Sequence, residues 1–309
     1  MEKRSVRFKN RALDVAADLR LPDGFDPARK YPAIICAHPI SSCKEQTSGT
    51  VYGERLTELG YVTLAFDASH QGASGGEPRH LEDPATRVED FRCAVDFLVT
   101  LDYVDEERIG VLGICGGGGY AAAATMTDHR IKALGTVVAA NYGRILREGD
   151  MSPGAAVAAL EAVGRQRTAE ARGAEPVLTG YIPGSPEDRE KAGLTDIDIV
   201  NAVDYYRTPR AQHPGSPNKL LFSGLEAAFG FDAFHLAETL LTQPLQIVVG
   251  EVPGAFGSYR DGFELFDRAR SEKKDILVVK GASHYDLYDR PEYVDQAMDR
   301  LGAFFAENL

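Results

Sequence analysis

The sequence predicts an α/β protein: a mostly parallel sheet flanked by helices, with a helical segment inserted late in the chain. Three observations predict it. Short apolar runs of buried-strand length recur at Ala33–Ala37, Val62–Phe66, Ile109–Ile114, Ala133–Ala140, Pro244–Gly250 and Asp275–Val279. Patterns of helical period separate them, which is the rhythm of strand–helix–strand crossovers. Between Asn141 and Thr242 that rhythm stops, over a stretch too long to be an ordinary connection.

In chain order, Val6–Leu21 alternates as one or two antiparallel edge strands do, and ends at the turn Pro22-Asp23-Gly24. A helix is expected near Val51–Leu59, stopped by Gly60. Another over Arg87–Leu101 places Val88, Phe91, Val95 and Leu98 on one face. Within the interruption, Met151–Ala171 and Phe222–Leu241 read as helices, the first with Pro153 near its start. A last amphipathic helix from Pro291 carries Val294, Met298, Leu301 and Phe305. The domain reading is therefore a core of residues 1–140 and 243–309, with 141–242 as a helical cap inserted between two strands. Insertions at the carboxyl edge of such a sheet lie over its crevice.

The chain has 309 residues, 44% of them hydrophobic, and a formal net charge of -12. That is ample material for a buried core. The acidic balance argues against nucleic acid and anionic membrane surfaces as partners. The N-terminus MEKRSVRFKN lacks a signal-peptide pattern and no run of about 18 apolar residues follows, so a cytoplasmic protein is expected. Cys36, Cys43, Cys93 and Cys115 show no zinc spacing, and they are expected to be reduced. No metal and no cofactor are expected. The sequence leaves the oligomeric state open, a homodimer included.

Chemistry concentrates in Ile109–Thr125, reading IGVLGICGGGGYAAAAT. An apolar strand runs into Gly113-Ile114-Cys115-Gly116-Gly117 and then into helix formers. The glycines two residues either side of Cys115 suit a strained strand-to-helix corner, the nucleophile elbow G-x-S-x-G with Cys for Ser. A cysteine there should be activated, since a helix N-terminus favours the thiolate. Cys36 and Cys93, by contrast, read as small buried hydrophobes. Gly116–Gly119 lacks the spacing of a phosphate-binding loop.

A thiol nucleophile needs a base at the same edge of the sheet. Among the seven histidines, His284 follows the last strand in Gly281-Ala282-Ser283-His284 and obeys the order nucleophile, acid, histidine. His213 and His235 read as cap surface or packing residues. The loop after the preceding strand, Glu251-Val252-Pro253-Gly254-Ala255-Phe256, holds no Asp before Asp261, so Glu251 is the nearest carboxylate to orient His284. Donors for a developing oxyanion are expected from the backbone N–H of Gly116 and of Ile40, in the loop His38–Gln46, with Ser41 as an alternative to Ile40. Pro39 has no N–H to give.

With these residues placed, the chain resembles the α/β-hydrolases of the dienelactone-hydrolase-like branch, in which Cys recurs at the elbow. The resemblance rests on the His38-Pro39 loop through Lys44-Glu45-Gln46, on Phe66–Gly76, on Arg87-Val88-Glu89-Asp90, on the elbow, and on His284-Tyr285-Asp286-Leu287-Tyr288-Asp289. Tyr205-Tyr206-Arg207-Thr208-Pro209-Arg210 further resembles a cap-bearing subgroup of bacterial hydrolases and fungal polyketide transferases. The resemblance implies an eight-stranded α/β-hydrolase fold and attack on a small-molecule ester, lactone or thioester through a Cys115 acyl-enzyme. An acyltransferase with the same machinery is the first alternative. A binding protein that has lost catalysis is the second, prompted by the missing Asp.

Overall fold

The computed structural model describes residues 1–148 and 153–309. Two antiparallel strands open the chain, β1 (Glu2–Asn10) and β2 (Leu13–Leu21), the pair expected from the alternating N-terminal pattern. β3 (Tyr31–Ala37) follows, then a single π turn at Thr47–Gly53 running into the short helix α1 (Glu54–Glu58). Next come β4 (Val62–Phe66), α2 (Pro84–Val99), β5 (Val104–Ile114), α3 (Gly116–Thr127) and β6 (Ile131–Val137). α2 starts as its sequence dictates: the Asp83 carboxylate caps the Thr86 N–H and Pro84 occupies the first turn.

The segment after β6 contains α4 (Tyr142–Glu148), α5 (Pro153–Ala171), the two-residue strand β7 (Leu178–Thr179), α6 (Pro186–Lys191) and α7 (Ile197–Arg207). β8 (Leu220–Leu221) pairs with β7, and α8 (Leu225–Phe229) and α9 (Ala237–Leu240) complete it. Met151 and Ser152, at the start of the first helix expected here, lie outside the described residues. The second expected helix, Phe222–Leu241, is instead broken into short turns, because Gly224 and Gly230 interrupt it and Leu236 adopts a left-handed conformation. The chain then returns to the sheet with β9 (Leu245–Gly250), α10 (Ser258–Arg268), β10 (Lys274–Val279), α11 (Asp286–Asp289) and α12 (Pro291–Asn308).

Eight strands form one sheet in the order β1-β2-β4-β3-β5-β6-β9-β10, parallel from β4 to β10, with β2 antiparallel to both of its neighbours. Each face of the sheet has its own buried apolar cluster. The helix α12 lies close against β5 and β6, because Gly110 and Gly135 leave room there. A Cβ at Gly135 would come within 3.0 Å of Leu301 and Phe305. β5 is thus central and buried, and its carboxyl end is fixed from both faces.

The segment between β6 and β9 is tied to two loops at that carboxyl edge. Arg210 donates to the Asp289 carboxylate at 2.6 and 3.0 Å and to the Tyr285 carbonyl at 3.0 Å. On the other side, Gln46 donates to the Ala211 carbonyl at 2.7 Å and Ser216 to the Ser41 carbonyl at 2.6 Å. These bonds fold the segment onto the sheet edge where β3, β5 and β10 end.

Candidate active site

Cys115 stands at the corner between β5 and α3 with φ 53° and ψ -125°, a strained conformation for a residue with a side chain. Its backbone is held from both sides: the Cys115 N–H donates to the Val137 carbonyl at 3.0 Å, and the Ala140 N–H donates to the Cys115 carbonyl at 2.9 Å. The flanking glycines are required by contact. A Cβ at Gly113 would lie 2.5 Å from the Gly117 carbonyl oxygen, and one at Gly117 would lie 2.5 Å from that of His38. These are backbone atoms that cannot swing aside, which is why the corner reads Gly-x-Cys-x-Gly.

The Gly116 and Ile40 N–H groups and the Tyr288 hydroxyl lie near the thiol, where each favours its charged form. Gly116 packs directly on Ile40, so the β3 loop and the start of α3 present their N–H groups to one point. That is the geometry an oxyanion would need. His284 is delivered by the loop after β10. Its Nδ1 lies 2.9 Å from the Ser258 hydroxyl and its Nε2 3.2 Å from the Tyr288 hydroxyl. The bonding is consistent if Nδ1–H donates to Ser258 while Nε2 accepts from Tyr288. The Tyr288 hydroxyl thus touches the imidazole and lies near the thiol.

Burial sets the electrostatics. Cys115 is 1% exposed and His284 2%, so neither charged form is solvated. Burial pushes the Cys115 thiol up to about 11; the nearby Tyr288 hydroxyl and the Gly116 and Ile40 N–H groups pull the other way without winning. This corrects the expectation of a lowered thiol pKa, because desolvation outweighs the helix N-terminus here. Burial likewise lowers His284 to about 3. At neutral pH the site is a neutral thiol and a neutral imidazole.

The structure does not bring Glu251 to His284. Glu251 is exposed, and its carboxylate accepts the Gly281 N–H at 2.8 Å, bracing the loop that carries the histidine. Asp261 is also engaged elsewhere, in a buried pair with Arg144 at 2.6 Å. The position behind His284 is filled by the Ser258 hydroxyl at the first turn of α10. Nothing in the local sequence marks this serine; it arrives through the left-handed turn at Gly257. Tyr288 carries a weak signal, since it lies four residues after His284 in the stretch quoted above.

A third residue unmarked in the sequence is Asp198, on α7. It is 1% exposed, and one carboxylate oxygen accepts the Phe256 N–H at 2.9 Å. Burial, opposed by that bond and assisted by Asp196, raises its carboxyl to about 6. Its other oxygen has no hydrogen-bond partner among the described residues, and neither do the buried hydroxyls of Tyr181, Tyr206 and Tyr285. Each buried, unpaired polar group costs on the order of 1–3 kcal/mol.

His38 and His70 serve the scaffold. His38 Nε2 accepts the Ala68 N–H at 3.0 Å, and His70 Nδ1 lies 3.0 Å from the Pro78 carbonyl. His213 packs with its Nδ1 3.2 Å from the Cys43 thiol. Cys43, Glu45 and His213 bring their donor atoms within 4.8 Å of one another, a set that could hold a metal ion. Those atoms already have partners: Lys44 pairs with Glu45, and the Gly215 N–H donates to His213 Nδ1 at 3.0 Å.

A mostly parallel eight-stranded sheet, with a strained cysteine at the strand–helix corner and a histidine after the last strand, defines an α/β-hydrolase fold. The chain belongs to the alpha/beta hydrolase family, whose model matches residues 46–297. It is 43% identical over 303 residues to the protein YcjY of Escherichia coli (strain K12), covering 97% of this chain and 96% of that one. The crystal structure of the hypothetical protein PA2218 from Pseudomonas aeruginosa superposes with a TM-score of 0.90 at 35% identity, covering 100% of this chain and 94% of that chain. The α/β hydrolase GrgF from a Penicillium species has the same fold, with a TM-score of 0.79 at 20% identity over 100% and 99% of the two chains. Its sequence is described as a polyketide transferase, 24% identical over 85% of this chain and 84% of that one.

Proposed function

We propose that this protein cleaves a small-molecule ester, lactone or thioester through an acyl-enzyme on Cys115, in the manner of the dienelactone-hydrolase-like branch. The observation that carries this reading is the strained elbow at Cys115, with Gly116 packed on Ile40 so that both N–H groups stand beside the thiol, and with the hydrogen-bonded His284 and Tyr288 at the same edge. As sulfur attacks the carbonyl carbon, the thiol proton passes through the Tyr288 hydroxyl to His284 Nε2. The carbonyl electrons move to oxygen, where the two N–H groups receive them. Collapse breaks the bond to the leaving alcohol or thiol, which takes the proton from His284. Water then attacks the acyl-enzyme, giving one proton to His284 and releasing the acid, and Cys115 recovers its proton.

Starting from a neutral pair suits this site. Among the described residues no carboxylate stands behind His284, where the Ser258 hydroxyl sits instead, and a thiol, more acidic than an alcohol, needs that support least. The four cysteines are unpaired, in keeping with the reducing cytoplasm we assign to it. No helix among the described residues is long and apolar enough to cross a membrane.

Acyl transfer to an alcohol or amine is the second reading. It is favoured by the burial of Cys115 and His284 beneath the segment between β6 and β9, which acts as a cap and limits water. The transferase name of the Penicillium relative agrees with it. Incubating the protein with a panel of esters and thioesters, with and without alcohol or amine acceptors, and weighing the intact protein tests both. An adduct on wild type that is absent in Cys115→Ala is expected. Full activity in Cys115→Ala overturns the acyl-enzyme.

A further inference from the structure

Four buried polar groups have no partner among the described residues: an Asp198 carboxylate oxygen and the hydroxyls of Tyr181, Tyr206 and Tyr285. Asp198, Tyr206 and Tyr285 are 1%, 3% and 0% exposed. They form one neighbourhood. Cys115, Tyr206, Tyr285 and Phe256 belong to one buried cluster with Tyr181 packed against it, and Asp198 is bonded to the Phe256 N–H at 2.9 Å. The Tyr206 and Tyr285 rings meet edge to face at 6.0 Å, and Tyr181 stacks on Phe256 at 5.5 Å. These contacts hold the rings in place.

These groups come from three separate stretches: Tyr181 and the helix α7 within the inserted segment, and the His284 loop. Phenylalanine in their place would keep the packing and remove the polar atoms. Their presence is best explained by a ligand that bonds to them. A plain alkyl chain would bury each hydroxyl without a partner. A chain bearing oxygens would satisfy them, and a site built to bond substrate oxygens rejects analogues that lack them.

We propose that Asp198, Tyr181, Tyr206 and Tyr285 form a substrate subsite that selects acyl groups bearing hydroxyl or keto oxygens close to the reacting carbonyl. This rests on the acyl-enzyme reading for the identity of the reacting carbonyl. The binding itself does not depend on turnover. The subsite therefore has its own test.

The probe is a pair of non-hydrolysable ketones in which a methylene replaces the thioester sulfur of S-butyryl- and S-3-hydroxybutyryl-N-acetylcysteamine. Binding of each to wild type, Tyr206→Phe, Tyr285→Phe and Asp198→Asn is measured by calorimetry. Wild type is expected to bind the hydroxylated ketone at least about tenfold more tightly, and each variant to lose most of that preference while binding the plain ketone as before. Equal affinity of wild type for the two ketones overturns the subsite, as does a preference that survives in all three variants. Circular dichroism melting confirms that the variants are folded, and Tyr181→Phe stands in for any that is not. A preference found in a protein that forms no adduct on Cys115 would keep the subsite and overturn the acyl-enzyme, so the two failures are distinguishable.

Discussion

Two cysteine–histidine pairs occupy this sheet edge, one with its histidine half-buried and one fully buried, and only the fully buried one has the surroundings proposed for a nucleophile. In the first, Cys43 and His213 are in direct contact at 3.2 Å. In the second, His284 bonds the Tyr288 hydroxyl at 3.2 Å, and that hydroxyl lies near Cys115. Direct contact would favour the first pair, yet what surrounds the sulfur favours the second. Cys115 sits on a strained corner facing two backbone N–H groups. Cys43 faces Asp67 and Glu45, whose charges together with burial push its thiol up. Positioned donors for the developing charge, more than a neighbouring imidazole, distinguish a catalytic thiol from a packed one.

The largest expected effect separates the pairs outright. Cys115→Ala should lower kcat/KM on any ester turned over by at least about 10⁴-fold, whereas Cys43→Ala should change it by less than about tenfold. Comparable losses would erase the distinction. Next, Tyr288→Phe removes the hydroxyl through which the second pair communicates. A fall in kcat of about 10²-fold is expected. The pH profile of Cys115 alkylation should also move to higher pH, since the Tyr288 hydroxyl is one of the groups that lower the thiol. An unmoved profile would mean that the hydroxyl does not serve the sulfur.

Burial around the second pair has its own signature in stability. Asp198 is raised by burial to about 6 from an ordinary 3.8, so the folded chain binds that proton more tightly than the unfolded one. Stability contributed by this group falls as pH rises from about 4 to 6, by on the order of 2–3 kcal/mol. His284 acts in the opposite sense. Its pKa is lowered to about 3 from 6.5, so its contribution is complete above 6.5 and is lost as pH falls towards 3. Urea unfolding of Asp198→Asn between pH 4 and 6 should show a steeper rise with pH than wild type, because the opposing Asp198 component is removed there while that of His284 remains. Equal slopes would place Asp198 in a more solvated setting.

The smallest effect is expected at Glu251. Because its carboxylate braces Gly281 from the surface, Glu251→Gln should cost less than about 1 kcal/mol and leave kcat within about twofold. A hundredfold loss would put a carboxylate behind His284 after all. The comparison between the pairs would then turn on charge as well as on backbone donors.

Much of this arrangement is legible in the residues themselves. The corner at Cys115 could be read because the tight strand-to-helix turn is a local motif: Gly113 is forced by the Gly117 carbonyl within one turn, although Gly117 is forced by the Ala37 and His38 carbonyls at the end of β3. His284 could be read because chain order in a parallel sheet puts the loop after β10 at the same edge as the end of β5. The apolar runs marked six of the eight strands for a related reason, since a strand buried on both faces must be apolar throughout. The helix over Phe222–Leu241 was misread because helical spacing of apolar residues does not reveal that glycines will end each turn.

What the sequence by itself determined is therefore the sheet, the elbow and the histidine, each specified by neighbours in the chain or by the rules of parallel connection. Only the tertiary structure decided the rest. It placed Ser258 behind His284, Tyr288 between imidazole and thiol, and Asp198 with its tyrosines beside Cys115. It also reversed the expected acidity of the thiol, because desolvation depends on what chain segments far away in sequence pack over a group. Local geometry is written in a few adjacent residues, whereas burial belongs to the whole fold.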